Sequence, residues 1–138
     1  MNTLALKGIA AVFALEAQIK DLPQVECQIR HLFIEGVCVR VAHIPSDTVL
    51  TGMIHNKENV SILAKGSMLI FDGSNSKTVE AGHIQIDPPG IKRAGATLTD
   101  CVFINVFRTD TTDEGALLSE LGSSSVEEYE QKLLGDII

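Results

Sequence analysis

The sequence predicts an all-β sandwich or barrel with one helix before it and further helices after it. Between residues 28 and 108, short runs rich in Val, Ile and Phe alternate with turn clusters of Gly, Pro, Asp and Asn, a spacing typical of sandwiches and barrels. Apolar residues follow a helical period only outside this region. The length of 138 residues and the hydrophobic fraction of 45% suit a single domain over residues 1–138 with one core.

The first segment, residues 1–22, predicts a helix. Leu6, Ile9 and Phe13 recur at helical spacing, which gives one apolar face. Pro23 ends the pattern because proline cannot continue a helix. We therefore expect a helix from about residue 3 to residue 20 that packs outside the barrel or against a second subunit.

The barrel strands are expected between residues 28 and 108. The stretch QIRHLFIEGVCVRVAHI (28–44) predicts two strands joined at Glu35-Gly36. Further strands are predicted at 48–55, 60–71 with a fold near Lys65-Gly66, 77–87, 93–98 and 101–108. The last strand is apolar on both alternating faces, with Cys101, Phe103 and Phe107 on one and Val102, Ile104 and Val106 on the other. A strand of this kind is covered on both sides, so we expect a homodimer.

The C-terminal segment, residues 113–136, predicts two helices separated at Gly122. The second, in SSSVEEYEQKLL, begins behind a serine with Glu127 or Glu128 at capping-box distance. Acidic residues near that start also favour the helix dipole.

Charge and cysteine content exclude several partners. A net charge of −7 and a pI near 4.9 argue against nucleic acid and anionic membranes, which require a basic surface. No apolar stretch approaches the ~20 residues of a membrane span. Cys27, Cys38 and Cys101 are odd in number and lie in apolar runs without a zinc-binding spacing. They predict buried reduced thiols and a cytoplasmic location.

Two stretches have a spacing that strand formation alone does not require. The first, TGMIHNKENVSILAKG, carries Met53, His55, Asn59 and Gly66. The second, GHIQIDPPGIKR, carries Gly82, Pro88, Gly90 and Arg93. Met53 and His55 share one face of a strand because side chains alternate with period two.

These two stretches resemble the two motifs of the cupin superfamily. The first cupin motif ends in His-x-His, three or four residues, Glu, six residues and Gly. The second is Gly, five residues, Pro-x-Gly, two residues and His. The resemblance covers roughly residues 28–108 and implies a cupin-type double-stranded β-helix, which is a jelly-roll barrel. The layout is also similar to small cupin-like proteins of tailed phages and prophages.

The chain departs from the family at the metal ligands. In metal-binding cupins the two His, the Glu and the last His converge on one ion, whereas only His55 is kept here. Met53 and Asn59 are poor ligands for divalent transition metals, and Arg93 is a permanent cation. We therefore expect no metal and no other cofactor.

The resemblance places Arg93 and His55 in one barrel cavity. An arginine there can hold a carboxylate or phosphate through two parallel hydrogen bonds. The predicted ligand-binding residues are His55, Arg93, Asn59, Met53 and Lys92. Arg40 is a further basic residue that could contribute to binding of an anion.

Three functions remain open. The favoured one is a non-enzymatic, metal-free barrel, phage-encoded and located in the host cytoplasm, that binds or sequesters a small anionic molecule. The second is a structural or assembly protein whose barrel is plugged by His55 and Arg93, with Asp100 or Glu58 as countercharge. The third is a metal-independent enzyme similar to the sugar-nucleotide epimerases of the cupin class, with His55 as general base. Such enzymes pair the base with a tyrosine, and Tyr129 lies in the C-terminal helix instead.

Overall fold

The computed structural model describes residues 3–137. Its three helices are α1 (Thr3–Ile19), α2 (Glu114–Leu121) and α3 (Val126–Ile137). The strands are β1 (Gln28–Ile34), β2 (Val37–Ile44), β3 (Val49–Thr51), β4 (Ile54–His55), β5 (Asn59–Lys65), β6 (Ser67–Phe71), β7 (Ser76–Glu80), β8 (Ile84–Asp87), β9 (Ala94–Thr97), β10 (Cys101–Arg108) and β11 (Gly122–Ser123). The predicted β core with helices at both ends is thereby confirmed; residues 1, 2 and 138 of the predicted segments lie outside the described range.

Two antiparallel sheets form the barrel. One has five strands in the order β1-β2-β10-β5-β8, and the other has four in the order β3-β9-β6-β7. The short strands β11 and β4 pair separately. The main apolar core lies between the two large sheets and consists of Ala42, Ile44, Leu63, Met68, Ile70, Val79 and Cys101.

Two predicted strands are each divided in the structure. The run 48–55 splits because Gly52 N–H donates to the Arg93 carbonyl (2.9 Å) while His55 N–H donates to the Ile91 carbonyl (2.9 Å); β3 then pairs with β9 and β4 with β11. The run 77–87 splits at Gly82, which has φ 97°. This second break moves the chain from the four-stranded sheet to the five-stranded sheet, so it helps to close the barrel.

The helices pack on the outside of the barrel. In α1, Ile9 and Val12 are buried, and Ile9 packs with Ile54 and Tyr129 in a second, smaller core. The predicted serine cap of α3 is present, since Glu128 N–H donates to Ser125 Oγ at 3.1 Å. No helix in the described part of the chain is long and apolar enough to cross a membrane.

The outer face of the five-stranded sheet is aliphatic. Because side chains alternate along a strand, the inward residues of β2 and β10 include Cys38, Arg40 and Asn105, and their neighbours point outward. This aliphatic sheet face consists of Leu32, Ile34, Val37, Val39, Val41, Val60, Ile62, Ile84, Ile86, Val102, Ile104 and Val106. The helices pack mainly against β3 and β11, which leaves Ile34, Ile84 and Ile86 between 64% and 70% exposed.

The cysteines are free thiols in the structure. Cys38 and Cys101 are buried, as the sequence predicts. Cys27 is only partly buried and lines the barrel cavity described next.

Candidate functional site

The barrel contains a half-open cavity of about 190 Å³ between its two sheets. His55, Arg93, Arg40 and Asn105 form part of its wall, and aliphatic side chains form most of the remainder. A second cavity of about 340 Å³ adjoins it beneath α2 and shares Arg40, His55 and Asn105 with it. The structure therefore brings the two principal predicted residues, His55 and Arg93, to one cavity.

Arg93 is neutralised by an internal carboxylate. Its Nη2 donates to Asp87 Oδ2 at 2.7 Å, and Asp87 is 1% exposed. Ser61 Oγ donates to the same carboxylate oxygen, while Gln85 Nε2 donates to the other at 2.7 Å. Four groups thus form one satisfied buried network, which is the arrangement in which a buried charge is tolerated.

The countercharge predicted for a plugged barrel was assigned to the wrong residues. Asp100 instead accepts a hydrogen bond from the Ser46 N–H at 2.9 Å. Glu58 pairs at 3.6 Å with the exposed Arg108. Asp87 is the counterion of Arg93 instead. It is the last residue of β8, and the proline turn that follows brings the chain back so that Arg93 lies beside it.

A chain of amides orients His55. Asn105 Nδ2 donates to Asn59 Oδ1 at 3.0 Å and to Ser61 Oγ at 3.1 Å. The oxygen of Asn59 is therefore occupied, and its Nδ2 faces His55 Nδ1 at 3.0 Å. Since Nδ1 accepts this bond, the proton of the neutral ring resides on Nε2.

Burial lowers the pKa of His55, and the positive charge of Arg93 lowers it further, while Asp87 opposes this effect. The imidazole is accordingly neutral at pH 7, and its Nε2–H is a hydrogen-bond donor. Asn59, which the sequence predicted as a ligand-binding residue, is 4% exposed and donates a hydrogen bond to His55.

Arg40 is not among the five predicted ligand-binding residues, although the sequence offers it as a further basic residue for an anion. It lies on the inward face of β2 and lines both cavities. Among residues 3–137 no hydrogen bond or ion pair involves its guanidinium, and its unpaired nitrogen atoms are accessible to solvent. Burial lowers the pKa of Arg40, but a guanidinium stays protonated in proteins. A positive charge that has no partner among residues 3–137 therefore borders the cavity.

Met53 and Lys92 occupy different surroundings. Met53 lines only the adjoining cavity, where it packs against Gly122. Lys92 is 2% exposed; its Nζ donates to Glu16 at 3.0 Å and to the Gly52 carbonyl at 2.7 Å and lies 4.2 Å from the Phe13 ring centroid. Lys92 links α1 to the barrel and lines neither cavity. It was predicted to bind the ligand because it precedes Arg93 in sequence, but its side chain has different neighbours.

The donor set does not fit the metal that the fold often carries. At the four motif positions the chain has Met53, His55, Asn59 and Arg93, and Asn59 uses its amide on His55 and Asn105. Among the described residues no group of three or more His, Cys, Asp or Glu side chains is placed to hold a metal ion. His55 alone remains as a ligand, beside a guanidinium that would repel a cation.

Tyr129 belongs to the second, smaller core and lines neither of the two cavities that His55 borders. It is 7% exposed and packs with Ile9 and Ile54, and its hydroxyl lies against Gly90. Burial raises the pKa of Tyr129. His55 therefore lacks the phenol partner that an epimerase-like mechanism requires.

Comparison with known proteins identifies the fold. No protein-family model matches the sequence, and no curated protein matches it either. Solved structures do match. A cupin-2 domain protein from Shewanella frigidimarina superposes with a TM-score of 0.51 at 12% identity, over 69% of this chain and 92% of that one.

Two further structures agree. A cupin superfamily protein from Desulfitobacterium hafniense gives a TM-score of 0.55 at 9% identity, over 68% of this chain and 87% of its own. KdgF from Halomonas sp. gives 0.55 at 14% identity, over 70% of this chain and 92% of its own. With two antiparallel sheets and both motif stretches facing one cavity, the chain has the fold of the cupin superfamily.

Proposed function

We propose that this protein is a binding protein that holds a small anionic molecule in its barrel, with Arg40 as the charge partner. The observation that carries this proposal is the guanidinium of Arg40, which borders the cavity without a carboxylate among the described residues. Burial lowers the pKa of Arg40 because its charge is partly removed from water, and a bound anion would compensate this partial desolvation. The neutral His55 supplies a hydrogen-bond donor, Nε2–H, at the same wall.

This proposal moves the anion site from Arg93 to Arg40. Arg93 donates to Asp87 and Ser61, so its charge is already compensated. Arginine is suited to the role proposed for Arg40 because its planar fork forms two parallel hydrogen bonds with a carboxylate or phosphate.

A non-catalytic role agrees with the residues at the cavity. His55 accepts a hydrogen bond from Asn59 at Nδ1, and neither a tyrosine nor an unpaired carboxylate from the described chain lines the 190 Å³ cavity beside it. A general acid–base pair of the epimerase type is therefore not supported. The resemblance to phage and prophage proteins is consistent with sequestration of a host metabolite.

We expect Arg40→Gln to abolish anion binding while leaving the fold intact. Titration calorimetry and thermal melts with acetate, butyrate, succinate and inorganic phosphate provide the measurement. A ligand at about 100 times its Kd stabilises the wild type by about 2.7 kcal/mol, and this increment should vanish in the variant.

Lys77→Gln is the matched control. It removes the same charge from an exposed position on the four-stranded sheet, so its anion response should equal that of the wild type. A response to anions that Arg40→Gln retains, or a wild type that responds to no anion of the series, would refute the proposed function.

A second role, assembly, is favoured by the aliphatic sheet face. Five strands about 4.8 Å apart and about seven residues long cover roughly 500 Å² in projection. This approaches the ~800 Å² of accessible surface that each partner buries in a standard interface. It is also comparable with the largest apolar patches found on monomers.

A second copy of the chain is the partner that we propose for this face. Two sheets with the same right-handed twist pack face to face with their strands within about 30°, so the face is complementary to itself. Its charged outward positions are basic and lie toward strand ends, at Arg30, Lys65 and Arg108. Chains of net charge −7 would therefore meet without opposing carboxylates at the described outward positions.

We expect the wild type to have the mass of a dimer at micromolar concentration and Ile104→Lys to have that of a monomer. Ile104 lies on the central strand β10, so a lysine there places a charge in the middle of the interface. Light scattering after size-exclusion chromatography measures the mass. Ile86→Lys is a second variant at a 70% exposed position, where folding is not at risk.

Leu98→Lys controls for added charge, because Leu98 is 53% exposed in the turn before β10. It should remain dimeric. A monomeric wild type, or a dimer that both Ile104→Lys and Ile86→Lys leave intact, contradicts this interface.

A further inference from the structure

We infer that the ligand is a monocarboxylate with a short apolar body of about four to six carbons. The inference rests on the proposed anion site and adds the chemical class of its occupant. Three properties of the 190 Å³ cavity carry it: its charge, the polarity of its wall and its size.

The charge of the residues around the cavity matches a ligand with one negative charge. Arg93 is balanced by Asp87, and His55 is neutral, since burial lowers its pKa. Arg40 is left as a single positive charge. Phosphate near neutral pH and dicarboxylates carry up to two negative charges, so one would remain buried and uncompensated, which is costly.

Most of the remaining wall is apolar. It includes Ile29, Ala42, Ile44, Leu50, Met68 and Phe103. This wall offers no hydrogen bonds to the hydroxyl groups of a sugar, which would lose their water on entering. An aliphatic or aromatic body gains about fourfold in affinity for each methylene buried against it.

The volume of the cavity limits the size of the apolar part of the ligand. An apolar cavity of about 150 Å³ accommodates benzene, so the cavity of about 190 Å³ accommodates an apolar group of about six carbons. Sites for drug-sized ligands have roughly 300–1,000 Å³. A nucleotide or nucleotide sugar therefore exceeds this cavity, while butyrate to hexanoate match it.

The adjoining cavity is the other space that the apolar part of the ligand could occupy. It lies beneath α2 on the other side of the shared residues, and its wall includes Glu114 and Leu121. Glu114 pairs with His31 at 3.1 Å, and its carboxylate disfavours an anion nearby. The carboxylate at Arg40 is thus expected to direct its body into the first cavity.

The test is calorimetry of the wild type with acetate, butyrate, hexanoate, decanoate, succinate and inorganic phosphate. Affinity should rise about fourfold per methylene from acetate toward hexanoate and fall at decanoate, and butyrate should exceed succinate and phosphate. Ala42→Leu narrows the first cavity and should move the optimum to a shorter chain. Leu121→Phe narrows the adjoining cavity and should leave the optimum unchanged; thermal melts establish that both variants fold.

The outcomes separate the two proposals. If phosphate binds through Arg40 as strongly as the carboxylates do, and the carboxylates show no effect of chain length, the proposed ligand class is wrong. The anion site at Arg40 would still stand. A shift of the optimum by Leu121→Phe and not by Ala42→Leu also overturns the inference, because the body then lies beneath α2. Failure of every anion to bind overturns the anion site itself.

Discussion

Arg93→Ala is expected to lower the free energy of unfolding by about 3–5 kcal/mol. This is the range measured when one partner of a buried ion pair is removed, and Asp87, at 1% exposure, would keep a carboxylate without its cation. Ser61 and Gln85 still donate to it, but neutral donors do not replace the charge. Urea denaturation at pH 7 measures the loss.

Arg40→Ala is the matched comparison, because both arginines line the same cavity. It removes a charge that has no carboxylate partner in the described chain, so stability should stay within about 0.5 kcal/mol or rise. The double variant Arg93→Met, Asp87→Leu should recover much of the loss, as replacement of a whole buried pair by apolar residues often does. If Arg40→Ala were the destabilised variant and Arg93→Ala were not, the two arginines would have exchanged roles and the proposed site would be wrong.

The sequence predicted the fold more completely than it predicted the candidate site. Alternating runs and turn clusters predicted the β core, and the resemblance of the two motif stretches to those of cupins implied a cupin barrel, which the solved structures bear out. The splits at Gly52 and Gly82 were missed because each depends on a hydrogen-bond partner elsewhere in the chain.

The partner of Arg93 could not be chosen from the sequence. Asp100 and Glu58 were the predicted partners, and Asp87 lies within the second motif stretch; only the path of the turn after β8 decides between these three carboxylates. That path places the end of β8 inside the barrel and directs Arg93 back toward it.

Arg40 shows a different limit of sequence reasoning. Alternation in VCVRVAHI puts Arg40 on the same face as Cys38 and Ala42, which indicates an inward position. Whether an inward arginine meets a carboxylate, a neighbouring side chain or a cavity depends on the opposing sheet. The signal was present in the pattern, since an arginine is rarely placed on an apolar inward face unless it is paired.

Two glycines of the cupin-like motifs share a backbone conformation and differ in their surroundings. Gly66 has φ 91° and Gly82 has φ 97°, a region that costs other residues about 1–2 kcal/mol. A Cβ on Gly66 would lie 2.3 Å from the Asp100 carbonyl oxygen, whereas one on Gly82 would meet nothing within 4 Å. The motif therefore requires glycine at both positions for φ and at Gly66 also for space.

We expect Gly66→Ala to lower the free energy of unfolding by about 2–5 kcal/mol, because the strain of positive φ, about 1–2 kcal/mol, adds to an overpacking cost of about 1–3 kcal/mol. Asp100 cannot easily give way, since its side chain accepts a hydrogen bond from Ser46 N–H and its carbonyl belongs to the turn into β10. Gly82→Ala should cost only about 1–2 kcal/mol, and urea denaturation of the two variants under one buffer gives the comparison. Equal losses would mean that φ alone explains both glycines, and that the turn at residues 99 and 100 moves away from Gly66 with little resistance.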